Sequence, residues 1–312
     1  MRLLALLMML SLISSPALAQ SGGRVYRAPR PRPPATAGSL ERDPGTGNYH
    51  LSYTDEEGNA YTITVEASDR VVFDLGINIS VDSAYERVTY SYSLKNTATS
   101  GSTPGIYSMI LVPCDDPGAT ASSSQWTTDV GVVKLISART CEFSGPMGSR
   151  LAPSAVLSDA RVVSRWLPGI GRAIVSCEAN SPLWPSGEAT PHAAYELAET
   201  VNSDYLGGKK VEMLVPLKDP ASFATPDRGL GLVLADLSKA CTLGWVKTPG
   251  ICNSLEVKLK QAQSAILQND LKLAGNHLKS LQNELAAQRG KHVNDLAFML
   301  LNTNVGYIQF HL

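Results

Sequence analysis

The sequence carries almost no excess charge of either sign: 27 basic residues stand against 28 acidic ones, a formal net charge of −1. No global field therefore draws the chain to nucleic acid or to an acidic surface. Histidine is scarce, limited to His50, His192, His277, His292 and His311. None stands in an H-E-x-x-H helix, and no G-x-S-x-G elbow presents a serine nucleophile. Five cysteines, Cys114, Cys141, Cys177, Cys241 and Cys252, include no C-x₂-C pair and have no histidine at ligand spacing beside them. These absences argue against a metal centre and a Ser/His/Asp nucleophile, so no catalytic residue and no cofactor is assigned. Past the first turn of the chain's leader, no apolar run approaches the about 20 residues that a membrane-crossing helix needs. The mature chain reads as not transmembrane.

What is present begins with an export signal. Arg2 precedes an apolar run from Leu3 to Ile13, Ser14-Ser15-Pro16 breaks it, and Ala17-Leu18-Ala19 offers small residues to a signal peptidase. Residues 1–19 read as a signal peptide cleaved after Ala19, which sends the chain to the periplasm or outside the cell. Residues 20–46 interleave Arg24, Arg27, Arg30 and Arg32 with Pro29, Pro31, Pro33 and Pro34. Prolines this dense favour an extended, disordered linker. It reads as a solvated spacer whose arginines are free to touch an anionic envelope polymer.

Residues 47–220 carry a β pattern. Tyr49–Tyr53 and Tyr61–Val65 alternate around the turn chemistry of residues 55–59, which predicts a hairpin. Arg87–Leu94 places Val88, Tyr90, Tyr92 and Leu94 on one face and Thr89, Ser91 and Ser93 on the other. Further strands are expected over 71–81, 106–112, 130–136, 172–176 and 211–217, while 141–210 shows little pattern. From 227 to 312 the period becomes helical. Leu255, Leu259, Ala262 and Ile266 form one seam, and Ala274, Leu278, Leu281 and Leu285 another. The fold class is α+β: an antiparallel β-sandwich-like domain followed by a small C-terminal α-helical bundle.

The helical part carries a family resemblance. Gly244-Trp245-Val246-Lys247, Gly250-Ile251, Asn253-Ser254-Leu255 and Lys258-Leu259 are followed by Asn276-His277-Leu278, Leu285, Ala287–His292 and Leu300-Leu301. Over about residues 240–310 this set resembles the FIMAH domain, a small helical module at the C-terminus of exported bacterial proteins. Cys241, Cys252 and Val305-Gly306 depart from the usual pattern. More weakly, Tyr90–Asn96 is similar to a strand in uncharacterised exported bacterial β domains that carry such a tail. The resemblance implies an accessory, non-catalytic role and names no ligand.

Three kinds of candidate site remain. Trp126, Trp166 and Trp184 lie in the β region, where exposed aromatics would stack on sugar rings and buried ones would pack the core. Asp115-Asp116 before Pro117-Gly118 reads as an acidic turn, with Ca²⁺ binding as the rarer alternative. Cys241 and Cys252 bracket the link between the first two helices and are expected to form a disulfide, since exported chains oxidise their thiols. Two of Cys114, Cys141 and Cys177 are left for a second bridge, and spacing does not select which two. The expectation is an exported bacterial binding or structural protein. Its β domain would recognise an envelope polysaccharide or envelope protein, and its bundle would dock. The alternative is a secreted hydrolase whose site assembles from residues within 110–210.

Overall fold

The computed structural model describes residues 37–55, 58–99, 105–146, 150–177, 192–203 and 206–312. The signal peptide, the linker up to residue 36 and Trp184 lie outside the described residues. Within them, twelve antiparallel strands form three sheets, and the bundle helices follow.

The first sheet is a meander of β1 (Ala37–Arg42), β2 (Tyr49–Thr54) and β3 (Ala60–Val65). β2 and β3 form the expected hairpin, with Tyr49 opposite Val65 and Thr54 opposite Ala60. β1 corrects the linker boundary of residue 46. From residue 35 to Asp43 every residue offers a backbone donor, and Leu40 pairs opposite Leu51 while packing on the meander's core. That core (Leu51, Tyr53, Val65) is closed by α1 (His192–Asn202) through Ala194 and Ala198. The Ser68 amide ties this unit to the rest by donating to the Val201 carbonyl at 2.9 Å.

The sandwich has two sheets. One runs in the order β4 (Phe73–Val81), β5 (Val88–Asn96), β10 (Val156–Ser164), β7 (Thr120–Ser122). The other runs β12 (Lys209–Lys218), β11 (Leu167–Cys177), β6 (Ile106–Val112), β9 (Ala138–Ser144), β8 (Thr127–Val133). β5 buries the face that its alternation marks, Val88, Tyr90, Tyr92 and Leu94. Both tyrosines keep their hydroxyls satisfied: Tyr92 Oη donates across the sandwich to the Leu214 carbonyl at 2.9 Å, and Tyr90 Oη to that of Trp166 at 2.7 Å. Cys114 and Cys141 form the second disulfide, with Cα atoms 5.6 Å apart. Cys177 stands outside both bridges and is buried against the Ala67 and Ser68 carbonyls.

The bundle comprises α2 (Pro226–Thr242), α3 (Pro249–Leu267), α4 (Leu271–Gln288) and α5 (Asp295–Phe310). Each start has a local cause. The Thr225 hydroxyl accepts from the Arg228 amide, Asp270 from Leu273 and Asn294 from Ala297, while Pro226 and Pro249 occupy first turns. The expected seam is buried at Leu255, Leu259, Leu278, Leu281 and Leu285. Cys241 and Cys252 are bridged as expected, stapling α2 to α3 with Cα atoms 6.3 Å apart.

Bundle and sandwich share one continuous core. At their junction Lys218, ending β12, forms a buried ion pair with Asp236 of α2. Asn304 of α5 donates through Nδ2 to Asp236 and to the Pro168 carbonyl, both at 3.1 Å. Lys239 Nζ donates to the Ile170 carbonyl at 3.2 Å. Burial pushes the Asp236 carboxyl up, against the opposing pull of Lys218.

Candidate functional site

Of the three tryptophans singled out, Trp126 and Trp166 lie within the described residues. Trp126 is 7% exposed and belongs to the core, the packing alternative of the two readings for these rings. Its amide is held by the Ser123 hydroxyl at 3.1 Å, which turns the ring inward ahead of β8. Trp166 is half-buried between β10 and β11. Of the histidines in the β region, His50 lies on β2 and His192 opens α1, 3.2 Å from Glu196. The basic cluster in the bundle is engaged structurally. Arg289 pairs with Asp295 at 2.6 Å and stacks over Phe298, and His292 Nδ1 meets the Thr248 hydroxyl at 2.7 Å. Among the described residues no group of three or more His, Cys, Asp or Glu is placed to hold a metal.

Asp116 is buried and committed to its own turn. Its carboxylate accepts from the Gly118 amide at 2.8 Å, the Ser164 hydroxyl at 2.6 Å and the Arg165 amide at 2.9 Å. Burial alone would raise its carboxyl, but these hydrogen bonds hold it below the ordinary aspartate value of 3.8. Asp115 is instead raised by burial, against the pull of Arg139. The sign for Asp116 is definite: a depressed folded value adds stability above the unfolded value, and that stability is lost as pH falls through the folded one. Asp116→Asn is therefore expected to flatten the acid limb of a melting-temperature profile below about pH 4. An unchanged acid limb would refute this role.

What Asp116 fastens is one wall of a cleft of about 860 Å³. Gly118 and Thr120 line it from the loop, and Val163, Ser164 and Arg165 from the end of β10. The β4–β5 turn contributes Asp82, Tyr85, Glu86 and Arg87; the last turn of α5 contributes Tyr307, Phe310 and His311. The turn is shaped by Asp82, whose carboxylate accepts from the Glu86 amide at 2.9 Å. Tyr85 takes a left-handed conformation (φ 56°) that directs its ring onto α5. There it meets Gly306, where a Cβ would stand 2.3 Å from the Tyr85 hydroxyl and would have to push the end of that ring aside.

The cleft's aromatic wall is a connected set. Tyr307 packs edge-on against Tyr85 at 5.7 Å and Phe223 at 5.6 Å, and lies 4.2 Å from the His311 ring. Phe310 lies 5.4 Å from Tyr85 and remains 54% exposed. Burial raises the Tyr85 and Tyr307 hydroxyls, the latter with help from Asp219, so both stay protonated donors. Arg87 and Arg165 line the same cavity. Val88 pairs with Ser164 at the last rung of the β5–β10 ladder, so the two arginines flank that rung on adjacent strands. Among the described residues neither guanidinium has an ion-pair or hydrogen-bond partner.

This arrangement offers an aromatic platform, two guanidinium donors and two carboxylate acceptors in one concavity. It is equipped for polar recognition of a ring-bearing ligand. Sequence reasoning named none of its aromatic residues as ligand contacts, although the neighbouring Trp166 was among those singled out. Compared with known families and curated proteins, the chain matches no family model and no curated sequence.

Proposed function

We propose that the chain is an exported, non-catalytic binding protein that holds its ligand in the cleft between sandwich and bundle. The observation that carries this reading is the cleft itself, lined by exposed Phe310 and by two arginines without partners of their own. Two disulfides favour an oxidising compartment, and among the described residues no helix is long and apolar enough to cross a membrane. The FIMAH-type resemblance of the bundle supports an accessory role in an exported bacterial protein. In this reading the bundle does more than dock, because α5 supplies one wall of the site. The partner is an envelope component, polysaccharide or protein, rather than nucleic acid.

The test is saturable binding of envelope fractions by mature protein produced in an oxidising compartment. Phe310→Ala is expected to weaken binding roughly tenfold, the scale of one aromatic anchor, with the melting temperature retained. Binding that survives Phe310→Ala unchanged would remove the cleft from consideration. Hydrolysis of a peptide, ester or glycan, abolished by a point substitution, would overturn the non-catalytic reading.

A further inference from the structure

We infer that the cleft takes a carboxylate-bearing saccharide, an inference that rests on the cleft being the binding site. The argument starts from Arg87 and Arg165. They flank the Val88–Ser164 rung from adjacent strands and line one cavity. Like charges across neighbouring strands repel, and here no described acidic side chain pairs with either one. The sandwich maintains this arrangement deliberately: Asp116 spends three hydrogen bonds fixing Gly118, Ser164 and the Arg165 backbone. A ligand carboxylate between the two guanidinium groups would relieve the repulsion through charge-assisted, bidentate hydrogen bonds.

The remaining lining fits the rest of such a ligand. A pyranose ring has apolar C–H faces suited to an exposed aromatic ring, and Phe310 and Tyr85 present that surface. Its hydroxyls are donors, and Asp82 and Glu86 line the same cavity as acceptors. Those two carboxylates also balance the two arginines in formal charge. A densely charged polyanion therefore gains little net attraction, whereas one carboxylate per ring can meet the arginines while its hydroxyls meet the acids. A cavity of about 860 Å³ has room for more than one ring.

The experiment is titration calorimetry on the full mature chain with a short oligouronide, its methyl-esterified counterpart and a single-stranded oligonucleotide. The acid form is expected to bind, to weaken with added salt, and to lose roughly tenfold or more in Arg87→Gln or Arg165→Gln, the scale of a charge-assisted hydrogen bond. The ester, which keeps the ring but lacks the charge, is expected to bind the wild type no better than the Arg variants bind the acid. Phe310→Ala should weaken both forms. Equal affinity for acid and ester, or arginine variants that bind the acid normally, overturns the acidic-saccharide inference while leaving the cleft reading intact. Preferential binding of the oligonucleotide through the same arginines overturns it in favour of a nucleic-acid ligand. If neither sugar form binds, the inference falls, and the envelope-fraction assay with Phe310→Ala decides separately whether the cleft reading falls with it.

Discussion

Replacing Asp236 by alanine is expected to lower the unfolding free energy by about 3–5 kcal/mol, because it strands a buried ammonium group. Lys218 and Asp236 have side chains only 13% and 10% exposed. Without the carboxylate, Lys218 keeps just a long contact to the Leu232 carbonyl at 3.5 Å, and Asn304 loses one of its two acceptors. Asn304 is already short of one partner, since its buried Oδ1 has no hydrogen bond. Guanidinium denaturation should show a lower midpoint at an unchanged m-value. The paired change Lys218→Met with Asp236→Leu removes both charges and is expected to recover most of the loss. Lys260 and Glu256 provide the control: they pair at 2.6 Å with side chains 62% and 46% exposed. Removing that pair should cost under about 1 kcal/mol. A loss for Asp236→Ala as small as that would mean the junction polar group is not what locks bundle to sandwich.

The second large effect concerns the disulfides, and it carries an order. Cys114–Cys141 closes a separation of 27 residues and Cys241–Cys252 one of 11. On the loop-entropy account, the first restricts the unfolded chain by about 3.5 kcal/mol and the second by about 2.8 kcal/mol. Cys→Ala pairs made at each bridge should therefore both destabilise the protein, with the longer loop costing more. The sandwich pair adds a cavity, because Cys114 and Cys141 are fully buried in the shared core. Equal or reversed losses in equilibrium denaturation would refute this order.

How much of this was readable in advance depends on how each element is buried. β5 faces the core on one side and the surface on the other for most of its length, so alternation exposes it. The bundle seams repeat at helical spacing because each helix buries one stripe, and three short links join them. β11 was legible only over 172–176, for the opposite reason. Ten of its eleven residues are buried on both faces, and Pro168, Gly169 and Gly171 within it resemble turn chemistry. β10 is interrupted by a register shift between Leu157 and Ala160, which breaks the period of two. α1 is short, and its buried residues are alanines whose small side chains give a weak apolar signal. The separate core of the meander followed from none of these patterns, since it joins residues 40–65 to 194–201. The cleft was the least legible part. Its walls come from segments near 82–87, 118–120, 163–165 and 307–311, and only the packed chain brings them together.

Tyr85 resting on Gly306 has a consequence for when the site exists. The sandwich wall is synthesised before the turn of α5 that completes it. On the proposed reading, binding competence therefore waits until the Tyr85 ring seats against Gly306. A ligand spanning both walls recognises only chains that have reached that step and shifts the equilibrium toward them in proportion to its occupancy. On the proposed reading the contact serves as a latch: a chain opened there lacks the complete cleft, and a bound ligand helps keep it shut.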